Sequence, residues 1–176
     1  LYQLPSLGLK VERLQFVPDG KEAVAIEYTL FNESAQPKKL MFNFNGVSDL
    51  RPTWLGERTQ MNDGNDVATY HESTKSWVVK DSLNEWYVSF GSTLTPVSHP
   101  QNAAHCDYKP AGKGANASLS YDIEIPAHSS AIIPFTIAGS YKSSSQVKET
   151  YLDVQKNTVQ LLKTKKERYK TIAAKT

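Results

Sequence analysis

The sequence lacks the features of several protein classes. Only one of its 176 residues, Cys106, is a cysteine, so neither a disulfide framework nor a cysteine-rich zinc site holds the fold. No run of about eighteen apolar residues occurs, which predicts no membrane span. The opening residues, LYQLPSLGLK, have neither the basic flank nor the apolar core of a signal peptide, and they lack an initial Met. We therefore expect a processed protein or a piece of a longer one.

Familiar catalytic and cofactor-binding motifs are also missing. The chain has no GxSxG, P-loop or GxGxxG motif, and its four histidines show no i, i+4 pair of the metalloprotease type. The segment NDGND with Glu72 after it has carboxylates at close spacing but not the ligand alternation of an EF-hand, which leaves calcium as a minor alternative. We predict no metal and no cofactor.

The charge is small but unevenly distributed along the chain. The total is +2, yet the residues from Gln146 to Thr176 include eight basic and three acidic side chains, a net charge of +5, so the remainder carries −3. Nucleic-acid recognition would need aromatic partners for base stacking beside these cations, or a second basic cluster. The segment has few aromatic residues and the chain has no second basic cluster, so we predict no nucleic-acid partner.

Strict alternation of apolar and polar residues dominates residues 1 to 140 and predicts strands. The segments that show it are EAVAIEYTLFNES, KLMFNFNG, SWVVK, EWYVSFG, SLSYDIEIP and AIIPFTIAG. Turn residues such as PDG separate them, and no helix-length crossover intervenes, which indicates an antiparallel sandwich or barrel of seven or eight short strands. Trp77 and Trp86 are expected in its core. Pro134 is expected at an edge or a bulge, because proline has no N–H to donate.

A different pattern begins at Gln146. From there the chain has no Pro or Gly, and apolar residues recur at intervals of three and four, which predicts a helix of nearly thirty residues, about 40 Å long. The expected stripe consists of Val147, Tyr151, Val154, Thr158, Leu161, Lys165, Tyr169 and Ile172, with Ser144 or Ser145 as the N-cap. A single-striped helix has to rest on another surface.

The segment from Val47 to Tyr70, VSDLRPTWLGERTQMNDGNDVATY, interrupts the strand pattern. Its candidate functional residues are Asp49, Arg51, Trp54, Glu57, Arg58 and Asp66. Two interpretations stay open: Trp54 closes an open end of the sandwich, or it presents an aromatic surface to a sugar or a neighbouring domain. Asp63 and Asp66 have the composition of a turn.

Three segments resemble a known family. VSDLRPTWLGERT, SYDIEIPAHSSAIIPFTIAGS and LLKTKKERYKTI, in that order, resemble the N-terminal β-sandwich and linker helix of bacterial glycosidases with an (α/α)6-barrel catalytic domain. They are similar to glycoside hydrolase family 63 and to glucosidases and glycogen-debranching-like enzymes. The resemblance extends from about Val11 to Ile172, and none of its segments is a catalytic signature.

The resemblance implies a mainly β fold: an antiparallel, supersandwich-like β-sandwich over residues 1–140 and a long C-terminal α-helix over residues 141–176, linking to a C-terminal (α/α)6-barrel outside this chain. It implies a non-catalytic domain that packs on that barrel and walls its cleft, a parent enzyme that cleaves α-glucosidic or related bonds, carbohydrate as a partner, and a periplasmic or cell-surface location. A free-standing carbohydrate-binding or adhesion sandwich, with Trp54 and Tyr70 as a platform, is the alternative. A scaffold that dimerises through its helix is the third.

Overall fold

The computed structural model describes residues 1–52, 62, 64–103 and 112–175, and the structural statements here concern those residues. They form ten strands and one long α-helix, α1. The strands are β1 (Tyr2–Leu4), β2 (Leu9–Phe16), β3 (Ala23–Asn32), β4 (Lys38–Ser48), β5 (Asp66–His71), β6 (Ser76–Asp81), β7 (Tyr87–Gly91), β8 (Gln101–Asn102), β9 (Ala115–Ile125) and β10 (Ser130–Ser140), and α1 spans Ser144–Ala173. A 3-10 turn, Pro5–Leu7, connects β1 to β2.

The strands make two antiparallel sheets. Seven form the larger sheet, in the order β1-β2-β3-β10-β7-β6-β5, and three form the smaller sheet, in the order β4-β9-β8. The inner faces of the two sheets share one hydrophobic core, to which both sheets contribute buried residues. The fold predicted from sequence, an antiparallel sandwich followed by a helix, is confirmed.

Aromatic side chains fill the space between the sheets. Phe44 on the smaller sheet stacks on Phe135 of the larger one, with ring centroids 4.2 Å apart. Trp77 is buried, as predicted, and its indole N–H donates to the carbonyl of Ser118 at 3.0 Å, which ties β6 to β9. Trp86 differs from its prediction: it is half-buried and precedes β7, which begins at Tyr87. The core therefore spans both sheets but takes only one of the two tryptophans expected in it.

Pro134 lies inside a central strand without a bulge. Strand β10 pairs continuously with β3 through Pro134 and Glu27, whereas its pairing with β7 covers only Thr136 to Ser140. Pro134 thus lies where β7 gives it no partner. An edge was expected because proline has no N–H to donate. On the β7 side this part of β10 is unpaired, so the proline is tolerated there as it is on an edge strand.

The first half of α1 packs on the outer face of the larger sheet. Val147, Tyr151 and Val154 are fully buried there, against a patch of small side chains that includes Ala25 and Ala138. The helix begins one residue earlier than expected, since Ser143 is the N-cap and its hydroxyl accepts from the Gln146 N–H at 3.2 Å.

The second half of α1 leaves the sheet. There Asp19, in the β2–β3 turn, binds Lys165 at 2.6 Å and Arg168 at 2.8 Å. Tyr169 and Ile172, expected in the buried stripe, are exposed because the sheet has ended before them. The division into units of residues 1–140 and 141–176 stays a prediction. Over the described ranges, α1 included, no helix is long and apolar enough to cross a membrane.

Candidate functional site

The candidate residues that the structure describes meet at one corner of the sandwich, where β4 ends and β5 begins. Asp66 is the first residue of β5, and its Oδ2 accepts hydrogen bonds from the Leu50 N–H at 2.9 Å and the Ser48 hydroxyl at 3.3 Å. The turn role predicted for Asp66 is therefore wrong. Its carboxylate binds the backbone of a distant segment and fixes the chain just after β4.

Asp81, at the end of β6, holds the other end of the same segment, at Gly64. It is fully buried and accepts from the N–H groups of Gly64, Leu83 and Asn84, at 2.6, 2.9 and 2.6 Å. The Asn84 amide also donates to Asp81, and it reaches the carbonyl of Asn62 at 2.8 Å. Sequence reasoning missed this anchor, because the hydrogen bond from Gly64 joins residues that are far apart in the chain.

The corner concentrates negative charge. Burial is the main cause that raises the pKa of Asp66, and the charges of Asp81 and Asp49 raise it further, whereas the hydrogen bonds from Leu50 and Ser48 oppose the shift. Asp49 in turn lies 3.6 Å from the Arg51 guanidinium. Asp66 Oδ1 is buried and has no hydrogen-bond partner among the described atoms. The site is thus a partly desolvated acidic corner with the Arg51 guanidinium beside it.

This geometry supports positioning rather than acid-base catalysis. A general acid or base has to reach the reacting proton within hydrogen-bond distance. Backbone donors occupy Asp66 Oδ2 and the Asp81 carboxylate, and Asp66 Oδ1, although unpartnered, is buried among the described atoms. In the part of the chain that the structure describes, no three His, Cys, Asp or Glu side chains form a metal-binding group. Trp54, Glu57 and Arg58 lie outside the described residues, so the two anchors mark the ends of the segment that contains them.

Tyr70, the second aromatic of the predicted sugar platform, is engaged within the protein. Its ring stacks on His99 with centroids 3.7 Å apart and an angle of 9° between the planes, and it meets Trp77 edge-on at 5.6 Å. His99 also lies 3.6 Å from the Glu72 carboxylate. One face of the Tyr70 ring is therefore covered by protein.

A second polar surface lies on the outer face of the smaller sheet. There the Asn102 amide donates to the Ser118 hydroxyl at 2.7 Å, and that hydroxyl donates to Asn45 Oδ1 at 2.7 Å, so one ladder crosses all three strands. Four residues further along β4 and β9, around the Met41–Asp122 pair, is an open groove of about 470 Å³, lined by Lys39, Leu40, Met41, Asp122, Ile123 and Glu124. Amides and hydroxyls of this kind bind neutral polar ligands. Sequence alternation gave no signal for them.

Comparison with known proteins gives a likeness in fold. No protein-family model matches the chain, and no curated protein matches it. Among solved structures, it is similar to one described as "Putative kojibiose phosphorylase from human microbiome", with a TM-score of 0.55 and 12% identity over 88% of this chain. A second, described as a "putative aldose 1-epimerase from Klebsiella pneumoniae subsp. pneumoniae MGH 78578", has a TM-score of 0.43 and 14% identity, and the match covers 84% of this chain and 53% of that one. This chain spans 20% of the length of the first protein. At such identity, the first likeness shows the fold alone.

Proposed function

We propose that this chain is a non-catalytic N-terminal domain of a larger glycoside hydrolase, whose parent cleaves α-glucosidic or related bonds. In this proposal the sandwich packs on an (α/α)6-barrel of the same protein, as in the family-63-like enzymes that the sequence resembles. The segment between Asp49 and Asp66 walls the substrate cleft. The location is the periplasm or the cell surface.

One observation carries the proposal: the two carboxylates of the corner, the half-buried Asp66 and the buried Asp81, bind backbone N–H groups. Asp66 binds the chain at Leu50, and Asp81 binds it at Gly64, so both ends of the Trp54-containing segment are fixed to the rigid sheet. A loop with fixed ends on a sheet scaffold is suited to present side chains to a neighbour. The likeness to one fifth of the kojibiose phosphorylase-like chain supports a domain within a longer protein.

The test compares this chain with the longer protein. We expect the 176-residue chain alone to release no product from p-nitrophenyl α-glucoside, and the longer protein to hydrolyse it. Trp54→Ala in the longer protein should lower kcat/KM about tenfold, since a misplaced cleft wall disturbs substrate orientation. Tyr141→Ala is the matched control, because Tyr141 is an aromatic exposed elsewhere on the sandwich. Turnover by the isolated chain, or equal kcat/KM in both variants, would contradict the proposal.

A free-standing carbohydrate-binding sandwich is the second candidate, favoured by the ladder of Asn45, Ser118 and Asn102. Sugar hydroxyls exchange hydrogen bonds with such amides, and Asn45 and Asn102 are exposed at the two ends of the ladder. Titration calorimetry of the isolated chain with malto-oligosaccharides, for the native sequence and for Asn45→Ala, tests it. Binding that Asn45→Ala removes would favour this candidate, and no heat of binding would exclude it for these sugars.

A further inference from the structure

The two sheets of the sandwich differ in width, so the larger one extends past the smaller. Tyr28 of β3 contacts Phe42 of β4, with ring centroids 5.2 Å apart, so this part of β4 lies over β3. In the part of the chain that the structure describes, β4 is the last strand of the smaller sheet on this side, whereas β2 and β1 follow β3 in the larger sheet. The result is a step, which we name the ledge. Its wall is the edge of β4 from Lys39 to Val47, and its floor is formed by Tyr2, Leu4, Val11, Arg13 and Gln15.

Two floor residues of β2 show where the core ends. Arg13 and Gln15 pair with Tyr28 and Ile26 of β3, and residues paired in this way lie on the same face of the sheet. Ile26 is buried in the core and Tyr28 packs against that core, whereas Arg13 and Gln15 are exposed. Over this part of the sheet, the core therefore ends between β3 and β2, although the sheet continues.

The outermost part of the floor is apolar. Tyr2 and Leu4 of β1 pair with Val11 and Leu9 of β2. Leu9 is buried in the core between the sheets, so the side chains of this row point inward. Tyr2 and Leu4 are nevertheless 58% and 39% exposed, and Val11 is half-buried. Covering this surface with a further element would remove apolar area from water, which is favourable.

The wall of the ledge presents backbone hydrogen-bonding groups. Ser118 and Ser120 of β9 pair with Asn45 and Asn43 of β4, but their N–H groups donate to the β8 side. Asn43 and Asn45 therefore stand at positions of the β4–β9 ladder that exchange no hydrogen bonds. Their own N–H and C=O groups point to the free edge of β4, and so do those of Met41, two residues before Asn43.

The edge of β4 is long and has little protection against pairing. Strand β4 has 11 residues, whereas the other edge strands, β1, β5 and β8, have 3, 6 and 2. Its pairing with β9 is continuous from Lys38 to Ser48, so no bulge interrupts it, and it contains no proline. Its charged residues, Lys38 and Lys39, stand together at one end. Natural sheets shorten, charge or interrupt their exposed edges, so an edge of this kind is suited to take a further strand.

The shape of the ledge decides what fits it. If two copies of the chain joined β4 to β4, the strands β2 and β1 of each copy would occupy the space of the other copy's larger sheet. A second copy therefore does not fit. Adjacent strands lie about 4.8 Å apart, so the overhang of β2 and β1 leaves room for about two strands. The Arg13 guanidinium, 5.7 Å from the centre of the Tyr28 ring, supplies a positive charge on the floor.

We propose that an extended strand fills the ledge, pairs with β4, turns apolar residues to the floor and has Asp or Glu opposite Arg13, and that this strand belongs to the same longer protein. The placement in the same protein rests on the function proposed above. A strand from a separate molecule loses freedom of motion and has to be ordered on binding, whereas a tethered strand is present at high effective concentration. The resemblance implies a helical barrel as the neighbour of the sandwich, so a β-strand that extends the smaller sheet is a different contact.

Amide hydrogen exchange in the 176-residue chain and in the longer protein tests the ledge. The edge amides of Met41, Asn43 and Asn45 should exchange fast in this chain and at least about tenfold more slowly in the longer protein, because the added strand accepts their hydrogen bonds. The amides of Phe42 and Phe44, which point to β9, should exchange slowly in both. Fast exchange of the edge amides in both proteins, or slow exchange in both, would overturn the proposal.

Variants of the longer protein distinguish strand pairing from simple covering. Asn43→Pro removes an N–H that points to the free edge and should speed exchange at Met41 and Asn45, whereas Asn43→Ala keeps that N–H and should not. Arg13→Glu should also speed exchange of the edge amides, because it faces the acidic residue of the strand with a like charge. Lys39→Glu, on the exposed outer face of β4, is its control. Circular dichroism confirms that each variant folds, and equal exchange in Asn43→Pro and Asn43→Ala would contradict strand pairing.

The ledge and the proposed function fail independently. Glycosidase activity of the longer protein, with edge amides that exchange fast in both proteins, would refute the ledge alone. Slow edge amides in a longer protein that has no activity on glycosides would refute the proposed function alone. Slow exchange that is lost when the longer protein is diluted would place the strand in another molecule and would overturn its origin in the same chain.

Discussion

Asp66 and Asp81 face each other across β5 and β6, yet their carboxylates differ in environment. Asp81 receives several N–H donors, which satisfy a fully buried charge. Asp66 receives two donors at one oxygen and leaves the other without a partner among the described atoms. The difference explains why burial raises the pKa of Asp66. Substitutions of Asp66 can therefore distinguish the effect of its charge on stability from the effect of its hydrogen bonds.

Asp66→Asn should be at least as stable as the native protein at pH 7. The raised pKa means that the folded protein binds this proton more tightly than the unfolded chain, so this carboxyl lowers the free energy of unfolding as the pH rises above its ordinary value of 3.8. Asparagine keeps an acceptor for Leu50 and removes the repulsion with Asp81 and Asp49. Urea unfolding at pH 3 and pH 7 measures this, and a large loss at pH 7 would contradict it.

Asp66→Ala should destabilise the protein by about 1–3 kcal/mol at pH 7, because the Leu50 N–H loses its acceptor. The same urea unfolding series measures it. Asp122→Ala, at an exposed aspartate on β9, is the matched control and should change stability little. Equal stability of Asp66→Ala and Asp66→Asn would show that the charge, and not the hydrogen bond, sets the contribution of this residue.

Gly91 and Tyr151 form a second residue pair with a testable geometry. A Cβ at Gly91 would lie 2.6 Å from the Lys75 carbonyl oxygen and 2.7 Å from the Tyr151 hydroxyl, too close for either. Gly91→Ala should therefore cost about 1–3 kcal/mol in urea unfolding. Adding Tyr151→Phe removes one of the two clashes and should recover part of the loss. If the changes in the free energy of unfolding from the two substitutions were fully additive, the helix and the sheet would not be in contact at this point.

At the scale of elements, alternation predicted the longer strands and the helix but not their arrangement. Strands β1 and β8 were missed because three and two residues give no period. Strand β5 was missed because most of its residues were assigned to the segment Val47 to Tyr70, which was taken to interrupt the strand pattern. The docking of α1 on the outer face was also missed, although the small residues Ala23, Ala25 and Ala138 on outward positions were a signal for it. The candidate site, too, could be predicted only in part from the sequence. Asp49, Arg51 and Asp66 were identified by composition, whereas the anchoring by Asp81 depends on contacts between distant segments.

A tether of two ion pairs, from Asp19 to Lys165 and to Arg168, joins the second half of α1 to the sandwich. Hydrogen bonds from Lys165 and Arg168 lower the pKa of Asp19, so this tether is present above the ordinary value of 3.8 and is lost as the pH falls through the lowered pKa. Asp19→Asn should speed amide hydrogen exchange between residues 162 and 172 at pH 6, with little change near Val147. Asp122→Asn is the control, and unchanged exchange in Asp19→Asn would contradict the role of the tether.

At the scale of the whole molecule, the sandwich and the end of α1 differ in how well their apolar residues are covered. The sandwich has a core of its own, while α1 extends past the sheet with Val159, Tyr169 and Ile172 exposed. Monomeric soluble proteins rarely expose large contiguous apolar patches. The function proposed above would cover these residues within a longer protein, and the fold of this chain is shared with one part of a longer chain.

The size of the natural polypeptide tests this account most directly. An antibody raised against the sandwich, followed by mass spectrometry of the captured chain from its native cells, measures it. We predict a polypeptide several times heavier than the 19.6 kDa of these 176 residues, with peptides from a helical region beyond Thr176. A natural polypeptide of 19.6 kDa would contradict the account and favour the free-standing sandwich.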